Sequence, residues 1–140
     1  MRPLSATACE TIYRRLLLYS PSVANTRLIG GVPVHGVDLG ERTECRHYRS
    51  ELDIVALRFG CCGDYYACHS CHLELAEHPP KPLLQAEFDS PSVLCGACGH
   101  QLTVREYMGC GFRCPKCAAL FNPGCANHYE LYFELSPPPP

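Results

Sequence analysis

The segment "CCGDYYACHSCH", residues 61–72, places four cysteines and two histidines in twelve positions. Cysteine and histidine are the donors that tetrahedral zinc prefers in proteins. Cysteine pairs separated by one or two residues, with a histidine nearby, suit a metal site better than a disulfide framework. The chain contains four pairs of donors at chelating spacing, Cys45-x-His47, Cys68-x-x-Cys71, Cys95-x-x-Cys98 and Cys114-x-x-Cys117. The sequence therefore predicts a fold organised around bound zinc.

The number of candidate ligands fits three ions. The four pairs supply eight donors, and Cys61, Cys62, His72 and His78 raise the total to twelve. Twelve donors fill three tetrahedral sites, which predicts three Zn²⁺ per chain. The donors left over are Cys9, Cys110, Cys125, His35, His69, His100 and His128.

The neighbouring residues Cys61 and Cys62 bear on how the donors are distributed. In an extended segment successive side chains point to opposite faces, so these two cysteines are expected to bind different ions. An interleaved arrangement, in which each joins a different downstream pair, meets this condition. The spacing also permits the pairs that begin at Cys95 and Cys114 to close one ion locally as a zinc ribbon. Spacing favours interleaving and leaves the ribbon open.

Composition and charge exclude several other classes. The formal net charge of −2, with only two lysines, argues against binding to a nucleic-acid backbone. No apolar run approaches the roughly 20 residues of a membrane span, so we expect a soluble protein. Its 140 residues suit one domain, and the core is expected to need support from metal.

Three regions are predicted along the chain. Residues 1–30 form a flexible N-terminal extension that contains several arginines and loosely matches a mitochondrial presequence. Residues 31–135 form the zinc domain, and residues 136–140 form a Pro-rich tail. The oligomeric state is not predicted.

Local patterns predict short elements within this domain. "LDIVALRF" (52–59) is rich in β-branched and aromatic residues and predicts a strand, and "HLELAEH" (72–78) predicts a short helix ended by two prolines. The Ser/Thr-x-x-Glu pattern at "TVRE" predicts a helix that begins at Thr103. "FNPGC" (121–125) predicts a turn.

The same residues resemble the CHY-type zinc fingers, a family named for the Cys-x-His-Tyr that occurs here as Cys45-Arg46-His47-Tyr48. The resemblance runs from about residue 34 to residue 134. It includes "CRHY", "DIVALRFGCCGDYYACHSCH", "LCGAC", "LTVREY", "CPKC" and "FNPGC". More narrowly, the chain resembles stand-alone members related to a mitochondrial intermembrane-space helper of the small Tim proteins.

The resemblance implies a small, irregular α+β domain with short strands and helices around three interleaved zinc sites. It implies a first ion held by Cys45, His47, Cys68 and Cys71. It implies a second ion held by Cys61, His72, Cys95 and Cys98. It implies a third ion held by Cys62, His78, Cys114 and Cys117. The nine thiolates and three Zn²⁺ would carry a formal −3, which we expect nearby arginines to offset, namely Arg46, Arg49, Arg58, Arg105 and Arg113.

The function implied by the resemblance is a non-enzymatic one. It is zinc handling, or the biogenesis of cysteine-rich proteins in the mitochondrial intermembrane space, with a thiol oxidoreductase or small Tim-type proteins as partners. Four protein donors at each ion leave no position for an activated water, so no catalytic residue is predicted. The H-x-E pattern at His72 resembles that of zinc deaminases, but Arg113 replaces the proline of their P-C-x-x-C element.

Two alternatives stay open. One is a zinc-scaffolded interaction adaptor of the type found in ubiquitin ligases, with a cytoplasmic location as the alternative compartment. The other concerns Cys110, Cys125 and His128, which could form a labile metal or thiol-exchange site. Packing of Cys125 as a small buried side chain is the favoured interpretation of that residue.

Overall fold

The structure, a computed structural model, describes residues 24–135 and begins with a β-hairpin. Strand β1 (Ala24–Ile29) pairs antiparallel with β2 (Val32–Leu39). Gly30 and Gly31 connect them with φ of 57° and 84°, as the tight turns that match the twist of a hairpin require. The predicted end of the extension at residue 30 is therefore too late, because β1 already belongs to the sheet. The rest of the predicted extension and the Pro-rich tail lie outside the described residues.

The domain is built on one six-stranded sheet, in the order β1-β2-β4-β3-β5-β6. Adjacent strands pair antiparallel except β2 and β4, which are parallel. The remaining strands are β3 (Val55–Arg58), β4 (Tyr65–Tyr66), β5 (Pro91–Cys95) and β6 (Gln101–Thr103). The predicted strand over residues 52–59 is thus confirmed as the shorter β3, in a central position.

Short helices connect and cover the sheet, namely α1 (His69–Leu75), α2 (Val104–Gly109) and α3 (Tyr129–Tyr132). Helix α1 begins three residues before its predicted start, with Cys68 as its N-cap. Helix α2 has the predicted capping box, in which Thr103 and Glu106 bind each other's backbone amides. The predicted turn at residues 121–125 opens a 3₁₀ segment (Pro123–His128), and a second one is Gln85–Glu87. The longest of these helices, α1, has seven residues, and within residues 24–135 none could span a membrane.

Apolar side chains cover both faces of the sheet. Val93 and Leu94 are neighbours on β5, point to opposite faces and belong to separate buried clusters. One apolar cluster includes Phe59 and Tyr66, and the other includes Phe133. Buried cysteines occur in both clusters, so the candidate metal ligands are continuous with the apolar core. The fold is the predicted small α+β domain, with a more regular sheet than the sequence suggested.

Candidate metal centres

The twelve predicted ligands lie in three groups of four, and within each group the donor atoms are all within 4.8 Å of one another. The first cluster consists of Cys45, His47, Cys68 and Cys71. The second cluster consists of Cys61, Cys62, His72 and His78. The third cluster consists of Cys95, Cys98, Cys114 and Cys117.

The first cluster has the predicted membership and lies between the segment after β2 and the start of α1. His47 Nδ1 is 3.7 Å from the sulfur of Cys45, 3.4 Å from that of Cys68 and 3.5 Å from that of Cys71. The three cysteines are buried. The Cys71 sulfur also accepts a hydrogen bond of 3.3 Å from the backbone amide of Val37 on β2. The first cluster therefore ties α1 to the sheet.

Glu74 orients the histidine of the first cluster. The Glu74 carboxylate contacts Nε2 of His47, which leaves Nδ1 directed at the cysteines. A carboxylate on the outer nitrogen of a histidine fixes its ring and makes the inner nitrogen a better ligand. Burial lowers the pKa of His47, but Glu74 and Cys45 outweigh this effect and raise it. Glu74 is thus a site residue that the sequence reasoning missed. Its signal was its place one turn after Cys71 on the same helix.

The second cluster includes His72, which directly follows Cys71 on α1. His72 is fully buried between the rings of Phe59 and Tyr66, with centroid distances of 4.6 and 4.5 Å. Its Nε2 lies 3.3 Å from the Cys61 sulfur and 3.2 Å from Nε2 of His78. Burial lowers the pKa of His72, which favours the neutral imidazole that binds metals.

The second and third clusters correct the predicted interleaving of their ligands. The structure places Cys61 and Cys62 in one group, with their sulfurs 3.9 Å apart, whereas the prediction sent them to different ions. The prediction assumed an extended backbone at this point. The two cysteines instead lie in a turn that ends at Gly63, whose φ is 76°, so both sulfurs reach the same side. Only the ligands of the first and second clusters alternate along the sequence, and those of the third cluster all follow them.

The third cluster is the ribbon arrangement that spacing had left open. It consists of two similar turns, in which the amide of Gly99 bonds the carbonyl of Cys95, and the amide of Ala118 bonds that of Cys114. Gly99 and Ala118 follow the second cysteine of each pair and have φ of 80° and 67°. Backbone amides also donate to the sulfurs, for example from Lys116 to Cys114 at 3.4 Å. These turns direct both cysteines of each pair inward.

The donor distances agree with tetrahedral zinc. Zn–S bonds of about 2.3 Å and Zn–N bonds of about 2.0 Å give ligand separations of roughly 3.8 Å between two sulfurs and roughly 3.5 Å between sulfur and nitrogen. Two nitrogens would be about 3.3 Å apart. The Cys45–Cys68 separation is 3.7 Å, and Cys95–Cys117 and Cys98–Cys114 are both 3.8 Å. The three clusters therefore fit three zinc ions, as predicted.

The new grouping changes where charge accumulates. With Zn²⁺ bound, the first cluster carries a formal −1, the second is neutral and the third carries −2. The arginines expected to offset this charge bond elsewhere in the described residues. Arg46, Arg58 and Arg105 pair with carboxylates, and Arg49 and Arg113 donate to backbone carbonyls. The cysteine sulfurs instead accept hydrogen bonds from backbone amides, such as those of Val37 and Lys116.

The remaining cysteines do not form a fourth cluster within residues 24–135. The Cys110 thiol donates to the carbonyl of Tyr107 at 3.1 Å. Burial raises the pKa of Cys125, which keeps it a neutral thiol. These environments favour packing over the labile site considered for Cys110, Cys125 and His128.

Cadmium NMR of the Cd²⁺-substituted protein can check the grouping. Cadmium shifts respond to the number of bound thiolates, and the structure gives the three ions three, two and four of them. We expect three well-separated resonances. The interleaved arrangement would give every ion three thiolates and hence three similar shifts, which would contradict the structure. Replacing Cys117 with serine should move the most thiolate-rich resonance and leave the other two in place.

Comparison with known proteins identifies the family of this chain. The model of the family "CHY zinc finger" matches residues 45–107. The chain is 40% identical to "Helper of Tim protein 13" of Saccharomyces cerevisiae over 108 residues, which are 75% of this chain and 93% of the relative. It is 38% identical to the protein of the same name from Kluyveromyces lactis, over 71% of this chain and 87% of the relative. An uncharacterized protein of Schizosaccharomyces pombe is 48% identical over 72% of this chain and 88% of its own length. The chain therefore belongs to the CHY zinc finger family.

Proposed function

We propose that this protein is a non-enzymatic zinc carrier that assists the biogenesis of cysteine-rich, Tim-type proteins in the mitochondrial intermembrane space. Two relatives named as helpers of a Tim protein support the link to Tim proteins, because the match covers most of each chain. The three closed clusters support zinc binding as the activity involved. The proposed action is removal of zinc from the cysteines of a thiol oxidoreductase, which frees them for disulfide formation.

The number of protein donors in each cluster supports a role without catalysis. Hydrolytic zinc sites keep one position for water, whereas each cluster here has four protein donors. The H-x-E pattern at His72 does not resemble a deaminase site in three dimensions. Glu74 contacts His47, and His72 lies in a different cluster from Cys114 and Cys117. No side chain of the pattern is placed to activate a zinc-bound water.

The second cluster is the site that we assign to zinc exchange, and the exposure of its donors is the observation that carries the proposal. His78 is exposed and Cys61 and Cys62 are half-buried, whereas three of the four donors of the first cluster are buried. An incoming thiolate must reach the ion to displace a ligand, which favours the accessible cluster. The second cluster also has only two thiolates, so it attracts Zn²⁺ less strongly than the third, which has four.

A transfer assay tests this function. A thiol oxidoreductase with Zn²⁺ on its redox cysteines is mixed with the protein from which one equivalent of zinc has been withdrawn, and maleimide-reactive thiols of the oxidoreductase are counted. We expect these thiols to appear as zinc moves to the second cluster. The His78→Gln variant should not release them, whereas His128→Gln, altered at an exposed histidine outside the clusters, should act like the wild type. Equal release by all three proteins, or none by the wild type, would contradict the proposal.

The alternative role as an interaction adaptor stays a prediction. It requires a binding surface for a ubiquitin-ligase component, and no feature described above favours that partner over a thiol protein.

A further inference from the structure

A cavity of about 260 Å³ adjoins the first cluster, whose Cys45 and Cys68 form part of its lining. One wall is β3, a second is the segment from Thr43 to Tyr48, and the third is the chain from Asn122 to Tyr132. For comparison, an apolar cavity of about 150 Å³ holds a benzene ring. The space therefore suits a group of roughly ten non-hydrogen atoms.

Two hydroxyl groups at this cavity have no hydrogen-bond partner in the described residues, the Oγ1 of Thr43 and the OH of Tyr107. Both residues line the cavity and are almost completely buried, with 1% and 2% of their surface exposed. Burial raises the pKa of Tyr107, and the neighbouring Cys125 and Tyr129 add to this shift, but neither makes a hydrogen bond of normal geometry with the Tyr107 hydroxyl. A buried hydroxyl without a partner is costly, so these groups indicate a ligand that supplies one.

The other lining groups restrict the chemistry of that ligand. Tyr48, Tyr129 and Tyr132 contribute aromatic surface, which suits an apolar or aromatic body. The Asp53 carboxylate, also at the cavity, already accepts hydrogen bonds from the amide of Ser50 and the side chain of Asn122. Together with the negative formal charge of the first cluster, it opposes an anionic ligand.

We propose that this cavity binds a small neutral phenolic group, whose oxygen pairs with the free hydroxyls of Thr43 and Tyr107. The group could belong to a free phenol or to a tyrosine side chain of a protein segment, since both present the same ring and hydroxyl. The inference is independent of the proposed zinc-exchange function, which concerns the second cluster.

The test is a ¹H–¹⁵N NMR titration of the zinc-loaded full chain with p-cresol, toluene and benzoate. We expect saturable shifts at cavity residues with p-cresol, weaker binding of toluene and no binding of benzoate. N-acetyl-tyrosinamide distinguishes the sources. Binding as tight as that of p-cresol identifies a tyrosine side chain as the natural occupant, whereas exclusion identifies a free phenol.

Substitutions that remove only a hydroxyl group test whether Thr43 and Tyr107 bind the phenolic oxygen. Tyr107→Phe and Thr43→Val should each weaken p-cresol binding by about 3- to 10-fold and leave toluene binding unchanged. The matched control is Tyr65→Phe, because the Tyr65 hydroxyl bonds Gln101 away from the cavity and its loss should not alter either affinity. Zinc content and circular dichroism verify that each variant is folded. Absence of saturable binding, tighter binding of benzoate than of p-cresol, or equal p-cresol affinity in all variants would overturn the proposal.

Discussion

Removal of zinc by a strong chelator under reducing conditions is expected to release about three ions per chain and to abolish most of the secondary structure. A structural zinc contributes on the order of 10 kcal/mol when its binding is coupled to folding, whereas a domain has a net stability of only about 5–15 kcal/mol. Without the ions, buried cysteines such as Cys45, Cys68 and Cys71 lose the partner that holds them together. Far-ultraviolet circular dichroism measures the secondary structure, and a colorimetric assay measures the released zinc in the same samples.

Two controls make this result interpretable. A reductant prevents the released thiols from forming disulfides, and addition of Zn²⁺ should restore the spectrum, which shows that the loss of structure is reversible. The six-stranded sheet has apolar clusters on both faces, so it is the part of the fold with most reason to persist without metal. A zinc-free, monomeric sample that retains the native spectrum would show that this core is sufficient and that the ions are dispensable for folding.

The chemistry of the ligands was predictable because it depends on residue types and short spacings. A C-x-x-C pair places two sulfurs within chelating distance in almost any tight turn, so the pairs at Cys68, Cys95 and Cys114 could be recognised individually. Which pairs share an ion depends on the path of the chain between them. That path is set by the sheet, in which β5 lies next to β3, and short-range patterns do not contain this information.

The error over Cys61 and Cys62 has a local cause. Alternation of side chains holds for extended backbone, and the prediction continued the strand pattern past its end at Arg58 as far as Cys62. The sequence did contain the opposing signal, since Gly60 and Gly63 flank the pair and glycine is typical of turns with positive φ. The hairpin of β1 and β2 was missed in the same way, although Gly30-Gly31 between two apolar segments is a strong hairpin pattern.

Substitutions at the first and second clusters are expected to have very different effects, because one helix serves both. Cys71 and His72 are neighbours on α1 and belong to the first and the second cluster, respectively. Loss of the first ion should detach α1 from Val37 on β2 and displace His72 as well. Cys71→Ser is therefore expected to retain only about one zinc, in the third cluster, and to unfold the region around α1.

His78→Gln should be much milder. His78 is exposed and follows the end of α1, so its loss removes one donor of the second cluster without disturbing the first. We expect about two zinc ions per chain and a near-native spectrum. Cys110→Ser and His128→Gln serve as matched controls, because neither residue belongs to a cluster, and both should retain about three ions. Native mass spectrometry measures the ions directly. If Cys71→Ser kept two ions, the clusters would be energetically independent, and the role assigned to α1 as their common support would be wrong.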